Sequence, residues 1–528
     1  MENKWWQNAV GYQIYIKSFC DSNSDGIGDI NGILSKLKYL KSLGIDFIWI
    51  CPFFKSPMED NGYDISDYYS VSPEFGTIDN LQKLIKEAHK LGIKVLIDLV
   101  INHTSSKNEW FIKSENREDN FSDFYYWADP VVKNGKKMPP NNWQSFFSGS
   151  AWTYSEKRGQ YYLRVFSSNM PDINYNSLVA KQEIEKVIKY YAELNVDGFR
   201  VDAISHIGKA KFNKKGKGKR FYKPFSNQNN AHTYLKEFNK IFKKYGLFSL
   251  GELGGDPSKI DKQRYLSGEL DAICTFEQVG AFNSDGTINK SKLLSALKTK
   301  LGNGETAGKS ALFYFNHDYQ RLISAVCAEK DSFNASICLA VLMMMLKGVP
   351  IIYNGEEIGM TNYPFNSAEE FEDINAKMII NSSLDKEKAL EELKQHSRDN
   401  SRTIMQWNDE IYAGFSSAKP WFVVNDNYKT INVKNEEKEP NSCLNVYKKI
   451  ISTRKDIIKI INEGKFKFFR KLNVLGYKIK SEFGNIRVVA NLSEKVAKVN
   501  SLGNILFSNY TEISGINLMP YEVRIEKF

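Results

Sequence analysis

The 528-residue sequence has six cysteines, and none of Cys20, Cys51, Cys274, Cys327, Cys338 and Cys443 belongs to a CxxC pair. In so long a chain this scatter argues against a disulfide framework and for reduced thiols. No HExxH stretch and no Cys/His cluster occurs, which argues against a catalytic zinc. No GxxxxGK[ST] loop occurs, which argues against phosphoryl transfer from a nucleotide. The longest apolar run, Ile337 to Leu346, is too short to cross a bilayer. Met1-Glu-Asn-Lys-Trp-Trp-Gln7 has no basic segment followed by an apolar one, so no signal peptide is read. There is no internal repeat and no low-complexity linker. A soluble, cytoplasmic protein without a membrane partner is expected.

What is present is ordinary in bulk. Hydrophobic residues make up 42% and charged residues 25%, as in globular proteins. Aromatics reach 13%, with 28 Tyr, 33 Phe and 9 Trp. Most must be core, but the surplus suits a stacking site for flat or sugar-like ligands. The net charge is +10, partly from the run Lys209 to Arg220. That run could meet phosphate or nucleic acid. Glycines interrupt it and no aromatic ladder accompanies it, so a solvated loop is expected and no nucleic-acid partner.

Short β-branched runs alternate with amphipathic stretches through the first two-thirds of the chain. Strands are expected at Gly11–Ile16, Asp46–Cys51, Lys94–Val100, Gly198–Ala203, Phe248–Leu253, Ala272–Phe276, Ala311–Phe315 and Pro350–Asn354. Helices are expected between them, including Asn80–Leu91, Lys181–Leu194, His232–Tyr245, Lys290–Leu301 and Phe333–Leu346. Eight strand–helix repeats point to an α/β fold, a closed (β/α)8 TIM barrel, over a doubly wound open sheet. The long, aromatic-rich connection after strand 3 reads as a small inserted domain over the barrel mouth. Beyond about residue 455, Leu472–Lys480, Asn485–Leu492, Ala497–Asn500 and Glu522–Glu526 read as an antiparallel β domain. The expected division is 1–103 and 171–455 for the barrel, 104–170 for the insert and 456–528 for the C-terminal β-sandwich-like domain.

Chemistry collects at the strand ends, where barrels place function. Asp98, Asn102 and His103 follow strand 3. Arg200, Asp202 and His206 mark strand 4, Glu252 ends strand 5, and Asn316, His317 and Asp318 end strand 7. Each alone could cap a helix or hold a loop. Four acidic strand ends round one mouth repel one another, and that cost implies a functional site. Arg200 and Asp202 alternate on one face of their strand. The arginine is expected to depress the Asp202 carboxyl and keep it ionised, as a nucleophile requires. Several carboxylates with histidines and an arginine suit glycosidic bond cleavage.

Asp98-Leu-Val-Ile-Asn-His103, Gly198-Phe-Arg-Val-Asp-Ala-Ile-Ser-His206, Gly251-Glu252 and Phe315-Asn-His-Asp318 resemble the four signature regions of the α-amylase family of glycoside hydrolases. Met170-Pro-Asp-Ile-Asn174 resembles its fifth region. Asn61-Gly-Tyr-Asp-Ile-Ser-Asp67, Asn141-Asn-Trp143, Phe147-Ser-Gly-Ser-Ala-Trp152 and Arg398-Asp-Asn-Ser-Arg-Thr-Ile-Met-Gln-Trp407 are also similar. The resemblance covers nearly the whole chain and is closest to the exo-acting α-glucosidase and oligo-1,6-glucosidase branch. It implies Asp202 as nucleophile, Glu252 as general acid and base, and Asp318 as transition-state stabiliser. His103, Arg200 and His317 would bind the terminal glucose, and Asp64 and Arg402 would close over it. Tyr63, Phe147 and Phe166 would be stacking walls. Net retention is implied, with Asp202 and Glu252 about 5–5.5 Å apart.

Asp21-Ser-Asn-Ser-Asp-Gly-Ile-Gly-Asp29 alternates oxygen ligands around a glycine, like half of an EF-hand loop. Position twelve is Gly32 and not Glu, so it is not an EF-hand, and an Asp/Asn-rich turn is the alternative. The resemblance implies one structural calcium held by Asp21, Asn23, Asp25, the Ile27 carbonyl and Asp29, and no organic cofactor. Ala203 after the nucleophile leans towards α-1,4 bonds of maltose and malto-oligosaccharides, leaving α-1,6 action open. Leu253-Gly254-Gly255, Met170 and Ile404 depart from the family pattern and are expected at the pocket rim. No Arg-Leu-Asp-Arg segment follows region four, against a sucrose isomerase. Trehalose-6-phosphate hydrolase and oligo-1,6-glucosidase are the competing activities, the first using the basic run 209–220. A non-catalytic transporter partner would lose these carboxylates and carry a membrane helix. The expected partner is a small oligosaccharide, bound by a monomer or weak dimer.

Overall fold

The computed structural model describes residues 4–147, 149–326 and 331–528; Cys327 lies outside them. Eight parallel strands form its centre: β1 Gly11–Ile14, β2 Phe47–Ile50, β3 Lys94–Val100, β4 Gly198–Asp202, β5 Phe248–Glu252, β6 Ala272–Cys274, β7 Ala311–Leu312 and β8 Val349–Tyr353. Their order is β6-β5-β4-β3-β2-β1-β8-β7. A parallel bridge from Ile273 to Ser310 joins the two ends and closes the barrel. The strands are buried on both faces, which is why they read as continuous apolar runs and not as alternation.

All eight expected strands exist, and most stop short of the expected C-terminal end. At β4 the reason is local. Ala203 turns into the left-handed region at φ 45° and ψ 31°, so the ladder ends at Asp202 and the chain bends over the mouth. The helices follow the sequence pattern. Ile78–Lys90 buries Leu81, Leu84, Ile85 and Ala88 on one face, and Thr77 and Asn80 cap it reciprocally. Ser332–Met344 is buried on nearly every side. The barrel covers one flank, and the C-terminal sheet covers the other, where the Tyr477 hydroxyl donates to the Leu342 carbonyl at 3.0 Å.

Between β3 and the helix Leu178–Glu193 lies an antiparallel three-stranded sheet of Trp127–Ala128, Gln160–Leu163 and Trp152–Ser155, with a hairpin of Val131–Lys133 and Lys136–Met138. A bridge from His103 to Asp172 binds this segment back onto the strand-3 end, and one from Tyr125 to Ile173 ties the segment's own two ends together. At the C-terminus, Lys465–Lys471, Val474–Ser481, Gly484–Asn491, Val523–Lys527 and Asn504–Ser508 form an antiparallel sheet in that order. The first and last of these were not expected from sequence. Both are half-exposed edge strands whose lysines and asparagines blur the alternation.

Among the described residues no helix is long and apolar enough to cross a membrane. Cys20, Cys51, Cys274, Cys338 and Cys443 are buried free thiols.

Candidate active site

Strand register builds the floor of the site. Arg200 pairs with Asp98 across the β3–β4 ladder, and Asp202 lies two residues on, facing the same way. Arg200 is buried and binds three carboxylates. Its Nη1 reaches Asp98 Oδ1 at 2.7 Å and Asp202 Oδ1 at 2.5 Å, and its Nη2 reaches Glu252 Oε2 at 2.9 Å. Glu252 Oε2 also accepts from the Ala203 amide at 3.0 Å. Asp98 Oδ2 accepts from Trp49 Nε1 at 2.8 Å.

One guanidinium shared three ways corrects a sequence expectation. Burial pushes Asp202 well up, Arg200 pulls it down, and the Glu252 and Asp98 charges push it further up. The net direction is upward. Asp98 is raised to about 6 by burial, with Arg200 opposing. The arginine therefore does not by itself depress Asp202.

Asp318 has the opposite setting. Burial acts against its charge, but His317, Arg398, Arg402 and Arg200 outweigh that and hold the carboxyl well below its ordinary range. Its Oδ1 meets both Arg398 and Arg402 at 3.3 Å, and its Oδ2 meets His317 Nε2 at 3.3 Å. Gln13 Nε2 donates to His317 Nδ1 at 2.7 Å, so the histidine carries its proton on Nε2. That nitrogen lies 2.8 Å from the Tyr63 hydroxyl. Burial takes His317 down to about 3, against the pull of Asp318, and the ring is neutral. Tyr63 stacks flat on His317, with centroids 5.5 Å apart. The histidine thus fixes the tyrosine ring from one face.

At the strand-3 end, His103 is buried and lowered to about 3, first by burial and then by the Lys209 charge. Phe166 meets its ring edge-on at 5.1 Å, and Phe147 meets Phe166 at 5.8 Å. The Arg398 guanidinium lies 5.4 Å from the Phe147 ring centroid.

An ion pair crosses the rim beside the two residues expected to close over the glucose. Asp64 does not reach Arg402. Its oxygens accept from the Ser56 hydroxyl at 2.9 Å and the Asp60 and Glu59 amides at 3.1 Å, tying down its own loop. Asp60 instead binds Arg398 at 3.1 Å. Arg402 lies deeper, on the His317 carbonyl, Asp318 and Asp373 at 3.1 to 3.3 Å. Asp373 also binds Arg398 at 2.5 Å and caps the helix Ile374–Ser382.

Other expectations move too. Lys209 is buried in an ion pair with Asp172 at 2.6 Å and is not part of a solvated loop. The rest of the run is tied to the insert, with Trp143 Nε1 donating to the Lys214 carbonyl at 2.7 Å. Met170 and Ile404 lie in the core, not at the rim. The Gly254 amide donates to Ser205 Oγ at 3.0 Å. A side chain at 254 would lie 2.9 Å from His206 Nε2.

In the Asp21–Asp29 loop the oxygens turn onto the loop's own donors. Asp21 accepts from the Asn23, Ser24 and Gly26 amides, Asp25 from Ile27, and Asp29 from Ser22 and Gly32. Among the described residues no group of three or more His, Cys, Asp and Glu side chains converges as a metal site.

Sequence reading missed Gln13, Trp49, Asp60, Asp373 and Arg398 as members of the site. Arg398 opens one of the quoted motifs, and Asp60 directly precedes another.

A closed parallel barrel with a ring of strand-end carboxylates, one arginine among them and aromatic walls above, defines a glycoside hydrolase. The chain belongs to the α-amylase family, in its α-glucosidase branch: residues 13–464 match the description "Alpha amylase, catalytic domain". It is 39% identical to an oligo-1,6-glucosidase of Parageobacillus thermoglucosidasius, over 100% of this chain and 99% of that protein. It is 37% identical to a glucan 1,6-alpha-glucosidase of Streptococcus pneumoniae, over 96% and 94%. Among solved structures it is similar to a trehalose-6-phosphate hydrolase of Bacillus licheniformis, at TM-score 0.92 and 34% identity over 99% of this chain and 100% of that one. It is also similar to an isomaltulose synthase of Klebsiella sp. LX3, at TM-score 0.93 and 32% identity over 100% of both chains.

Asp64 gives a stability prediction. Burial raises its carboxyl to about 6, against roughly 3.9 in an unfolded chain. The folded state then binds the proton more tightly, so the stability this group contributes is full below about pH 4 and lost as pH rises through about 6. Asp64→Asn lacks that loss. The melting-temperature deficit of the variant should be largest near pH 4 and shrink by neutral pH, by the equivalent of roughly 3 kcal/mol at most. A deficit that is constant with pH would show that Asp64 ionises normally.

Proposed function

We propose that this protein is a retaining, exo-acting α-glucosidase that releases glucose from the non-reducing ends of short α-glucosides, leaning towards α-1,4 bonds. The observation that carries the reading is the sharing of Arg200 by Asp202, Glu252 and Asp98. Two of the three carboxyls, Asp98 and Asp202, are raised by burial and by their neighbours' charges. Glu252 is read as the acid on geometry, because its other oxygen is free of these contacts and its side chain is the more exposed of the catalytic pair, 16% against 9%. Glu252 then protonates the leaving oxygen, and Asp202, bound to Arg200 by its Oδ1, attacks the anomeric carbon from its Oδ2. Sharing neighbouring guanidinium nitrogens suits the close spacing of a retaining pair.

Asp318, kept anionic by two arginines, faces the positive charge that develops on the sugar ring. His103 offers a neutral N–H donor to a sugar hydroxyl, while the His317 Nε2 proton is engaged by the Tyr63 hydroxyl and Asp318. The bridge from Asp60 to Arg398, with Phe147 against it, supports a pocket closed at one end and hence exo action. All these groups come from one chain, in keeping with a monomer or weak dimer. Five buried free thiols suit a reducing, cytoplasmic setting.

The α-1,4 lean rests on the small side chain of Ala203 beside Glu252. The named activities of the relatives favour α-1,6 bonds. The exposed lysines of the 211–219 loop, fastened to the insert, favour a phosphorylated disaccharide as the second reading. Glucose release from maltose, isomaltose and trehalose-6-phosphate, with Asp202→Asn as the blank, separates the three. Release mainly from maltose is expected. Ala203→Val should shift the ratio towards isomaltose and lower the melting temperature, because a β-branched residue is strained at this left-handed position. Release from the phosphosugar alone would replace the reading, and wild type matching the blank would end it.

We further infer that the Asp21–Asp29 loop takes one structural calcium. Its donors are all hard oxygens, and three carboxylates stand in it without a paired cation among the described residues. Both Asp25 oxygens and Asp29 Oδ2 accept a single hydrogen bond and keep a second lone pair, whereas both Asp21 oxygens and Asp29 Oδ1 accept two, so calcium would have to displace some of these donors. Chelation should lower the melting temperature, with calcium restoring it, and should leave turnover at low temperature in place. A melting temperature unmoved by chelator would leave the loop a self-bonded turn.

A further inference from the structure

The donor His103 presents to the pocket is set from outside the pocket. Lys209 Nζ touches three oxygens: Asp172 Oδ2 at 2.6 Å, Asn102 Oδ1 at 2.9 Å and the His206 carbonyl. A carbonyl and a carboxylate can only accept. The Asn102 and His206 oxygens accept hydrogen bonds from the ammonium and Asp172 pairs with its charge, and an ammonium has no lone pair to offer. The Asn102 amide must then turn its oxygen to Lys209, since the opposite orientation would set N–H against N–H. Its nitrogen is thereby fixed on the other side, 3.2 Å from His103 Nδ1. An amide N–H donates, so Nδ1 must be the lone-pair nitrogen and Nε2 the protonated one. His103 Nε2 is buried and makes no close hydrogen bond among the described residues, with the Tyr63 carbonyl the one backbone acceptor that acts on the ring. A buried N–H without a partner costs roughly 1–3 kcal/mol, which a ligand hydroxyl would recover.

We infer that Lys209 is a positioning residue. Acting through Asn102, it fixes His103 as the Nε2–H tautomer and so dictates that the pocket offers a hydrogen-bond donor, not an acceptor, at this point. The lysine touches no substrate. It is held in turn by Asp172, whose Oδ1 accepts from the Val165 amide at 3.1 Å and whose backbone bridges to His103. The insert, the strand-3 end and the loop after β4 thus meet on one ammonium. The binding consequence rests on the α-glucosidase reading, whereas the tautomer does not.

The experiment is nitrogen NMR of the full-length enzyme labelled at histidine, with the His103 signals assigned by their loss in His103→Gln. The expected wild-type pattern is a neutral ring protonated at Nε2. In Asn102→Asp the nearly isosteric carboxylate accepts from Lys209 and can only accept from the ring, so the proton should move to Nδ1. With maltose, kcat/KM should then fall roughly ten- to hundredfold, the loss of one buried hydrogen bond with its partner left bare. The double variant Lys209→Met with Asp172→Asn removes both charges together and leaves no unpaired ion. It should give a mixture of tautomers while melting cooperatively.

A wild-type ring protonated at Nδ1, or charged, would overturn the inference. So would an Asn102→Asp enzyme whose tautomer is unchanged. A correct tautomer switch in a protein that releases no glucose would instead refute the proposed activity and leave the positioning role standing.

Discussion

The site depends on the burial of one guanidinium among three carboxyls. Arg200 is 1% exposed and Asp98 0%, so neither charge is relieved by water. A buried pair of this kind is weak evidence for stability, because desolvation takes back most of the attraction. Removing one partner is a different matter, since it strands the others at a cost of about 3–5 kcal/mol. Arg200 therefore acts less as a rivet than as a constraint. With it in place, Asp98, Asp202 and Glu252 must point inward at one level of the barrel. The neighbouring strands follow, because Asp98 is also held by Trp49 from β2 and Glu252 by the amide of Ala203.

That amide explains a backbone oddity. Ala203 adopts left-handed angles, which cost an L-residue roughly 1–2 kcal/mol. The bend turns its N–H onto Glu252 and ends β4 directly after Asp202. Strain here is coupled to function: a regular β4 would carry the chain past the mouth and leave the Glu252 oxygen without its second donor. A small side chain at 203 keeps that cost low, and the same small side chain sets the room beside the scissile bond.

The barrel was legible because buried parallel strands are written as apolar runs, and eight of them leave no other closed architecture. The acidic strand ends were legible because carboxylates at the ends of such runs have few structural uses. What stayed hidden were partners chosen by side-chain length and loop path. Asp60 and Asp64 are four residues apart in one loop, and only the folded loop shows that Asp64 ties down its own backbone while Asp60 crosses to Arg398. Lys209 heads a lysine-rich run and reads as solvated, yet one turn of chain places it beneath the insert. Gln13 sits in an apolar strand and carries no charge to draw attention, although it sets the His317 tautomer through Nδ1. The C-terminal edge strands escaped because half-exposed edges lack the contrast that alternation needs.

Two histidines show how the pocket wall is tuned. Burial holds His103 and His317 neutral, and nearby cations reinforce it: Lys209 for His103, and Arg402, Arg200 and Arg398 for His317. Each takes an amide N–H on Nδ1, from Asn102 and Gln13 respectively. Both rings thus carry their proton on Nε2, on opposite sides of the Arg200 cluster. A sugar hydroxyl can donate or accept, so a pocket of carboxylates alone would bind it through one polarity only. A neutral imidazole with a fixed tautomer supplies the other polarity without adding charge that would compete with Arg200 for the carboxylates. The division is physical: arginines balance the carboxylates, amides set the tautomers, His317 Nε2 holds Tyr63 and Asp318 in place, and His103 Nε2 is left to read a hydroxyl.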